Sequence, residues 1–175
     1  GVDAISIGEG EQSVWEYITM LEEAKAYPVS GIYTKQYPNT EYRKTDLAWL
    51  ERFEAPYFME MDEAGMDRQY FYLETSRGCP FSCSYCLSSI DKKLRFRDIN
   101  LVKKELQFFL DHKVPQVKFV DRTFNCKHEH AMTIWKYILE HDNGITNFHF
   151  EVSADLLRDE EMQLMSRMRP GLIQL

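Results

Sequence analysis

Residues 74–89 read ETSRGCPFSCSYCLSS, and three of the chain's four cysteines (Cys79, Cys83, Cys86) fall inside this stretch at C-x3-C-x2-C spacing. On its N-terminal side, YFYLET (70–75) is rich in aromatics and reads as a strand. On its C-terminal side, Val102, Leu106, Phe109 and Leu110 form a helical stripe. The alternation continues outward. Residues 117–120 form an apolar strand, and Ala131, Ile134, Trp135 and Ile138 form a second stripe that stops at Asn143-Gly144. Phe148, Phe150 and Val152 then alternate with His149, Glu151 and Ser153 as a strand with two unlike faces. Leu164, Met165 and Met168 mark a third helix halted before Pro170, and a further strand starts at Leu172. Strands alternating with helices imply a parallel sheet with right-handed crossovers. The polar face of the third strand favours a barrel segment over a doubly wound sheet, which would cover both faces with apolar helices. The cysteines lie just past the carboxyl end of the first strand, where such folds carry their chemistry.

The N-terminal third reads less sharply. Ala4–Ile7 is a short strand, Gly8-Glu9-Gly10-Glu11 a flexible acidic loop, and Ser13 opens a helix whose face is Val14, Trp15, Ile18 and Leu21. From 28 to 69 the chain is punctuated by Pro28, Gly31, Pro38, Asn39, Pro56 and Gly65 and reads as a packed connector, with Gly31-Ile32-Tyr33 and Tyr42 as a small hairpin. The sequence starts without Met and stops inside the apolar run GLIQL, which reads as a piece cut from a longer protein.

Composition narrows the class. With 175 residues, 44% hydrophobic and 14% aromatic, the chain is of globular type. A net charge of −7 without a basic stripe argues against a nucleic-acid-binding face. No apolar run approaches the roughly 18 residues of a membrane span, and the given sequence shows no signal-peptide pattern, so the expected compartment is the cytoplasm. Three clustered thiols in a reducing compartment point to a metal or to redox chemistry rather than to a disulfide scaffold.

Two bland readings stand beside that. A structural zinc site needs a fourth ligand, which Cys126, His128 or His130 would supply; alternatively the thiols are simply buried. The third reading is an iron–sulfur cubane, with one thiolate per iron and one iron left open for a substrate or cofactor. Cys126 otherwise reads as a small buried residue. His128 and His130 read as a solvated helix start, Arg95 and Arg97 as solvated, and His149 as facing the interior.

The cysteine motif resembles that of the radical S-adenosylmethionine (SAM) enzymes, C-x3-C-x-aromatic-C, with Tyr85 as the aromatic. KFVDRTFN (118–125) and FHFEVSADLLRDEEMQLM (148–165) resemble the second and third strand regions of the subgroup that carries a cobalamin-binding domain. VDAISIGEGEQSVWEYI (2–18) resembles the last strand and helix of that domain, and PVSGIYTK (28–35) its connector.

The resemblance implies a division into 1–27, the C-terminal end of a Rossmann-like cobalamin domain; 28–69, a connector; and 70–175, the first half of a parallel (β/α) barrel. It implies a [4Fe-4S] cluster on Cys79, Cys83 and Cys86. It places SAM near Tyr85, Asp121, Thr123, Asn125, Glu151 and Ser153, with cobalamin near Gly8, Glu9 and Gly10, although a lone G-x-G is also a simple turn. The family's Gly-Gly-Glu is replaced by Asp121-Arg122-Thr123-Phe124-Asn125. Also implied are reductive cleavage of SAM, methyl transfer or related radical chemistry on a small molecule, and an electron donor such as flavodoxin or ferredoxin. Alternatives are a radical SAM enzyme without cobalamin and a zinc-binding module. A half barrel exposes a strand edge, so dimerisation of the piece is expected.

Overall fold

The computed structural model describes residues 1–53, 55, 58, 65, 66 and 69–175. Pro56, part of the expected connector, lies outside them. The chain divides into two compact units, Gly1–Glu54 and Ala55–Leu175. Among the described residues no helix is long and apolar enough to cross a membrane.

In the first unit, β1 (Ala4–Ser6) pairs antiparallel with β2 (Ile32–Thr34), beside α1 (Gly10–Glu22) and the short α2 (Leu47–Leu50). The expected hairpin between 31–33 and Tyr42 does not form. Ile32 is buried with Met20 and Val29 against β1, while Tyr42 stays exposed. The Gly8–Glu11 loop is not free either, because α1 already starts at Gly10. Arg43 N–H donates to Ile7 O at 3.0 Å, and Glu9 N–H donates to Arg43 O at 2.9 Å. The Glu9 carboxylate accepts from Thr45 N–H at 2.9 Å. Gly8 has φ +107°, and a Cβ there would lie 2.2 Å from Arg43 O, so only glycine fits this crossing.

The stripe expected to seat α1 points the wrong way. Val14, Trp15, Ile18 and Leu21 are exposed, and Ser13 and Met20 are the buried residues. Ser13 is drawn inward by hydrogen bonds to Ser6 Oγ and Glu9 O. Trp15 stacks edge-on against Trp49 at 5.6 Å instead.

The second unit carries a four-stranded sheet of β3 (Tyr70–Leu73), β6 (Gln116–Phe119), β7 (Asn147–His149) and β8 (Ile173–Gln174), all parallel, in that order. Helices α3 (Ile99–Asp111), α4 (His128–Glu140) and α5 (Asp159–Met165) connect them. The stripes read from the sequence for α3 and α4 form the core. Val102, Leu106, Phe109, Ile134, Trp135 and Ile138 bury against Phe71, Leu73, Val117, Phe119, Phe148 and Phe150. Each such side chain contributes about 1.5–3 kcal/mol on burial. Period-2 alternation then sends Tyr70, Tyr72, Gln116, Lys118 and His149 to the opposite face, where Tyr70 and Tyr72 are 62% and 55% exposed.

A second, two-stranded sheet was not expected. β4 (Ser76–Arg77) pairs antiparallel with β5 (Arg95–Phe96) and closes the base of the cysteine loop.

Candidate active site

The cysteine loop leaves the sheet at the carboxyl end of β3 and is pinned at its root by Asp121, which follows β6. Asp121 is 1% exposed. Its carboxylate accepts from Thr75 N–H at 2.7 Å, from the Thr75 hydroxyl and from the Ser76 hydroxyl at 2.8 Å. Burial pushes this carboxyl above its usual range, against the pull of the hydrogen bonds from Thr75 and Ser76. The Thr75 proton goes to Asp121, so Thr75 Oγ1 accepts from His130 Nε2–H at 2.9 Å, which fixes the tautomer.

His130 is therefore no solvated helix start; it is 7% exposed, under the Phe96 ring at 4.9 Å. Burial, and then Lys127, push its pKa down to about 4. In the unfolded chain it titrates near 6.5. The unfolded state thus binds the extra proton between these values, and stability falls as pH drops from about 6.5 towards about 4. Allowing for screening by its residual solvent contact, the expected loss is roughly 2 kcal/mol. Urea midpoints at pH 7, 5.5 and 4 should show the wild type losing that much relative to His130→Gln.

Beyond Ser76 the loop turns sharply. Gly78 has φ +92°, and a Cβ there would lie 2.5 Å from Lys93 O. Cys79 N–H donates to Asp91 O at 2.9 Å, and Cys86 N–H to Cys83 O at 3.1 Å. Cys79 is buried, Cys86 half-buried and Cys83 exposed. Arg95 and Arg97 brace the far side and are not solvated. Arg95 pairs with Asp91 at 3.1 Å, and Arg97 forks onto the buried Glu105 at 2.9 and 2.6 Å.

The three cysteines line one cavity of about 500 Å³, together with Tyr72, Lys118, Asp121, Thr123, His149 and Glu151. Tyr85 stands at its rim, 91% exposed. Cys126 is not on the cavity wall; burial, then the neighbouring Asp121 and Cys79, push its thiol up. Thr123 Oγ1 lies 3.5 Å from Cys79 Sγ. Among the described residues no three His, Cys, Asp or Glu side chains converge on a point that would hold a single metal ion.

Two of the expected SAM contacts are engaged elsewhere. The Asn125 amide donates to Ser153 O and accepts from Ser153 N–H, both at 2.9 Å, and the Ser153 hydroxyl donates to Asp155 at 2.6 Å. This clamp ties the chain after β6 to the chain after β7, and neither residue lines the cavity. Glu151 does line it, with its carboxylate 3.6 Å from His149 Nε2. Lys118, Tyr72 and Arg122 were not singled out, although strand alternation already put the first two on the open face.

Known proteins are similar to this chain in sequence or fold. An uncharacterised methyltransferase of Pyrococcus horikoshii is 26% identical over 145 residues, covering 76% of this chain and 31% of the relative. The 2-(S-pantetheinyl)-carbapenam-3-carboxylate methyltransferase of Streptantibioticus cattleyicolor is 36% identical over 59 residues, covering 33% of this chain and 9% of the relative. The radical S-adenosylmethionine methyltransferase TsrM of Kitasatospora setae, solved with a tryptophan substrate and a SAM analogue, superposes at TM-score 0.72 and 16% identity, over 95% of this chain and 36% of TsrM. The cobalamin-dependent SAM radical enzyme OxsB, solved with aqua-cobalamin, gives 0.65 and 20% over 94% of this chain and 25% of OxsB. The chain thus spans about a third or less of the length of the proteins it matches. Residues 73–175, more than half of the chain, match the family model of the Radical SAM superfamily, and the chain belongs to that superfamily.

Proposed function

We propose that this chain is the part of a cobalamin-dependent radical SAM methyltransferase that holds a [4Fe-4S] cluster through Cys79, Cys83 and Cys86. The observation that carries the reading is the placement of these thiols on one cavity at the carboxyl end of β3, with Cys126 off its wall. When bound, the cluster supplies an electron that cleaves SAM to methionine and a 5′-deoxyadenosyl radical. The methyl-transfer outcome draws support from the two methyltransferase relatives and from the folds of TsrM and OxsB.

The chain's own residues have definable parts in this reading. Tyr85 at the rim covers the adenine, and Glu151 accepts from the SAM ammonium. Asp121 positions the loop root, and the Asn125–Ser153 clamp holds the two strand ends at a fixed spacing. The sheet of 70–175 is the first half of a barrel whose open face is the shielded interior. Residues 1–27 end a cobalamin domain, with Gly8, Glu9 and Gly10 beside the corrin, held by Arg43 and Thr45. The electron comes from a donor such as flavodoxin or ferredoxin in a reducing cytoplasm.

The test is anaerobic reconstitution followed by iron and sulfide analysis, electron paramagnetic resonance with and without SAM, and assay of 5′-deoxyadenosine. A SAM-perturbed cluster signal is expected. Zinc without charge-transfer absorption would overturn the reading in favour of a structural module. Added cobalamin that leaves its absorption spectrum unchanged would restrict it to a radical SAM enzyme without cobalamin.

Thr123 offers a finer prediction. A thiolate on iron has no proton to give, so ligation makes the Thr123 hydroxyl the donor in its 3.5 Å contact with Cys79 Sγ. That bond favours the reduced, more negative cluster. Thr123→Val should shift the reduction equilibrium about threefold, or on the order of 30 mV more negative for a one-electron couple. Thr123→Ser should leave it in place. A potential titration followed by paramagnetic resonance reads the difference.

A further inference from the structure

We infer that the substrate is a small acid with a flat aromatic body, and that it is held on the open face of the sheet with its anionic group on Lys118. The inference rests on the reading that this cavity is the reaction chamber.

Four parallel strands bring one register row to that face: Tyr72, Lys118, His149 and Gln174 lie side by side across β3, β6, β7 and β8. Val117 and Phe119 are buried in the core, so Lys118 between them stands on the opposite face, and it lines the same cavity as the three cysteines. Its ammonium lies 5.1 Å from the Tyr70 ring centroid. Among the described residues it has no carboxylate partner.

Neither carboxylate of the cavity is paired with Lys118. Asp121 faces Thr75 and Ser76, and Glu151 faces His149. Arg122 also lines the cavity and is exposed. The chamber therefore offers two cations, Lys118 and Arg122, beside two carboxylates that already have neighbours, Asp121 on Thr75 and Ser76 and Glu151 on His149. A half-buried ammonium without a counter-ion selects an anion from solution, and charge-assisted bonds in such places are the strong ones. Beside it, Tyr70 and Tyr72 are more than half exposed, and Tyr72 lines the cavity together with Phe81 and Phe119. Aromatic side chains lining a cavity next to a cation suit a flat ring that carries the acid on a short arm.

The test compares 3-phenylpropionate with 3-phenylpropionamide on the reconstituted chain, by ligand-observed NMR at low salt. The acid should bind about tenfold tighter than the amide. Lys118→Met should remove that preference and Lys118→Arg should retain it. Circular dichroism should be unchanged in both, since the position is half-exposed. Equal binding of acid and amide to the wild type, or a preference that survives in Lys118→Met, would overturn the inference. A third arm measures SAM affinity. Should Lys118→Met weaken SAM tenfold while leaving the acid's advantage intact, the cation serves the cosubstrate and the inference fails. Cluster content of the same wild-type sample separates this failure from failure of the radical SAM reading, because acid binding is read independently of iron.

Discussion

Alanine at Cys79, Cys83 or Cys86, one position at a time, should take the reconstituted chain from about four irons to background, while Cys126→Ala keeps its full complement. The asymmetry follows from position. Cys79, Cys83 and Cys86 line one cavity; Cys126 does not line it, and its thiol is pushed up by burial and by its neighbours, and so disfavoured as a thiolate. A cubane held at three corners has no spare protein ligand, so losing any one leaves two irons without protein thiolates. SAM cleavage should fall by well over the roughly 10–100-fold that loss of an outer-shell partner costs. Iron and acid-labile sulfide per chain, with 5′-deoxyadenosine yield, give the readout. If Cys126→Ala were the variant that emptied the site, the metal would be four-coordinate and structural, and no corner would remain for SAM. If each single variant kept its iron, the ligands would lie elsewhere.

Much of the second unit was legible because its helices and strands are buried on one side only. The stripes of α3 and α4 and the alternation of Phe148 and Phe150 with His149 and Glu151 are direct imprints of a core that lies on one face of a sheet. The same rule misplaced α1. Periodicity reports that a stripe exists but not what covers it, and in α1 the small Ser13 faces inward because its hydroxyl has partners there. β4 and β5 escaped notice because two residues are too few to show alternation, and they pair across 18 positions. Their pairing is what misled the reading of His130 and Arg97. A helix start and an arginine pair look solvated until a ribbon folds Phe96 over the imidazole and aims the guanidinium at Glu105, eight residues along the chain. The three cysteines that the spacing singled out line one cavity. The wall opposite them was only half readable, since whether Asn125 or Asp121 faces a ligand or a backbone amide depends on partners 28 and 46 positions away.

Asp121 shows how much of the site's geometry rests on one such partner, and Asp121→Ala should lower the unfolding free energy by about 3 kcal/mol. The carboxylate is the common acceptor for Thr75 N–H and for the hydroxyls of Thr75 and Ser76. The hydroxyls can rotate towards other acceptors, but the amide cannot, and it would be left buried and unpaired. The hydroxyl of Thr75 would also lose its orientation towards His130. Asp121→Asn tests the account from the other side. Its amide oxygen still accepts from Thr75 N–H, and it removes a charge whose ionisation burial already disfavours, as the raised pKa shows. That contribution to stability is complete below the ordinary carboxylate range and is lost as pH rises through the folded value, so at pH 7 the Asn variant escapes a cost that the wild type bears. It should be within about 1 kcal/mol of wild type there. Urea unfolding of both variants at pH 7 gives the numbers. A loss in Asn as large as that in Ala would mean that the charge itself holds the loop root. A negligible loss in Ala would mean that the Cys79 loop is held from the β4–β5 side alone, with Asp121 free to face a ligand.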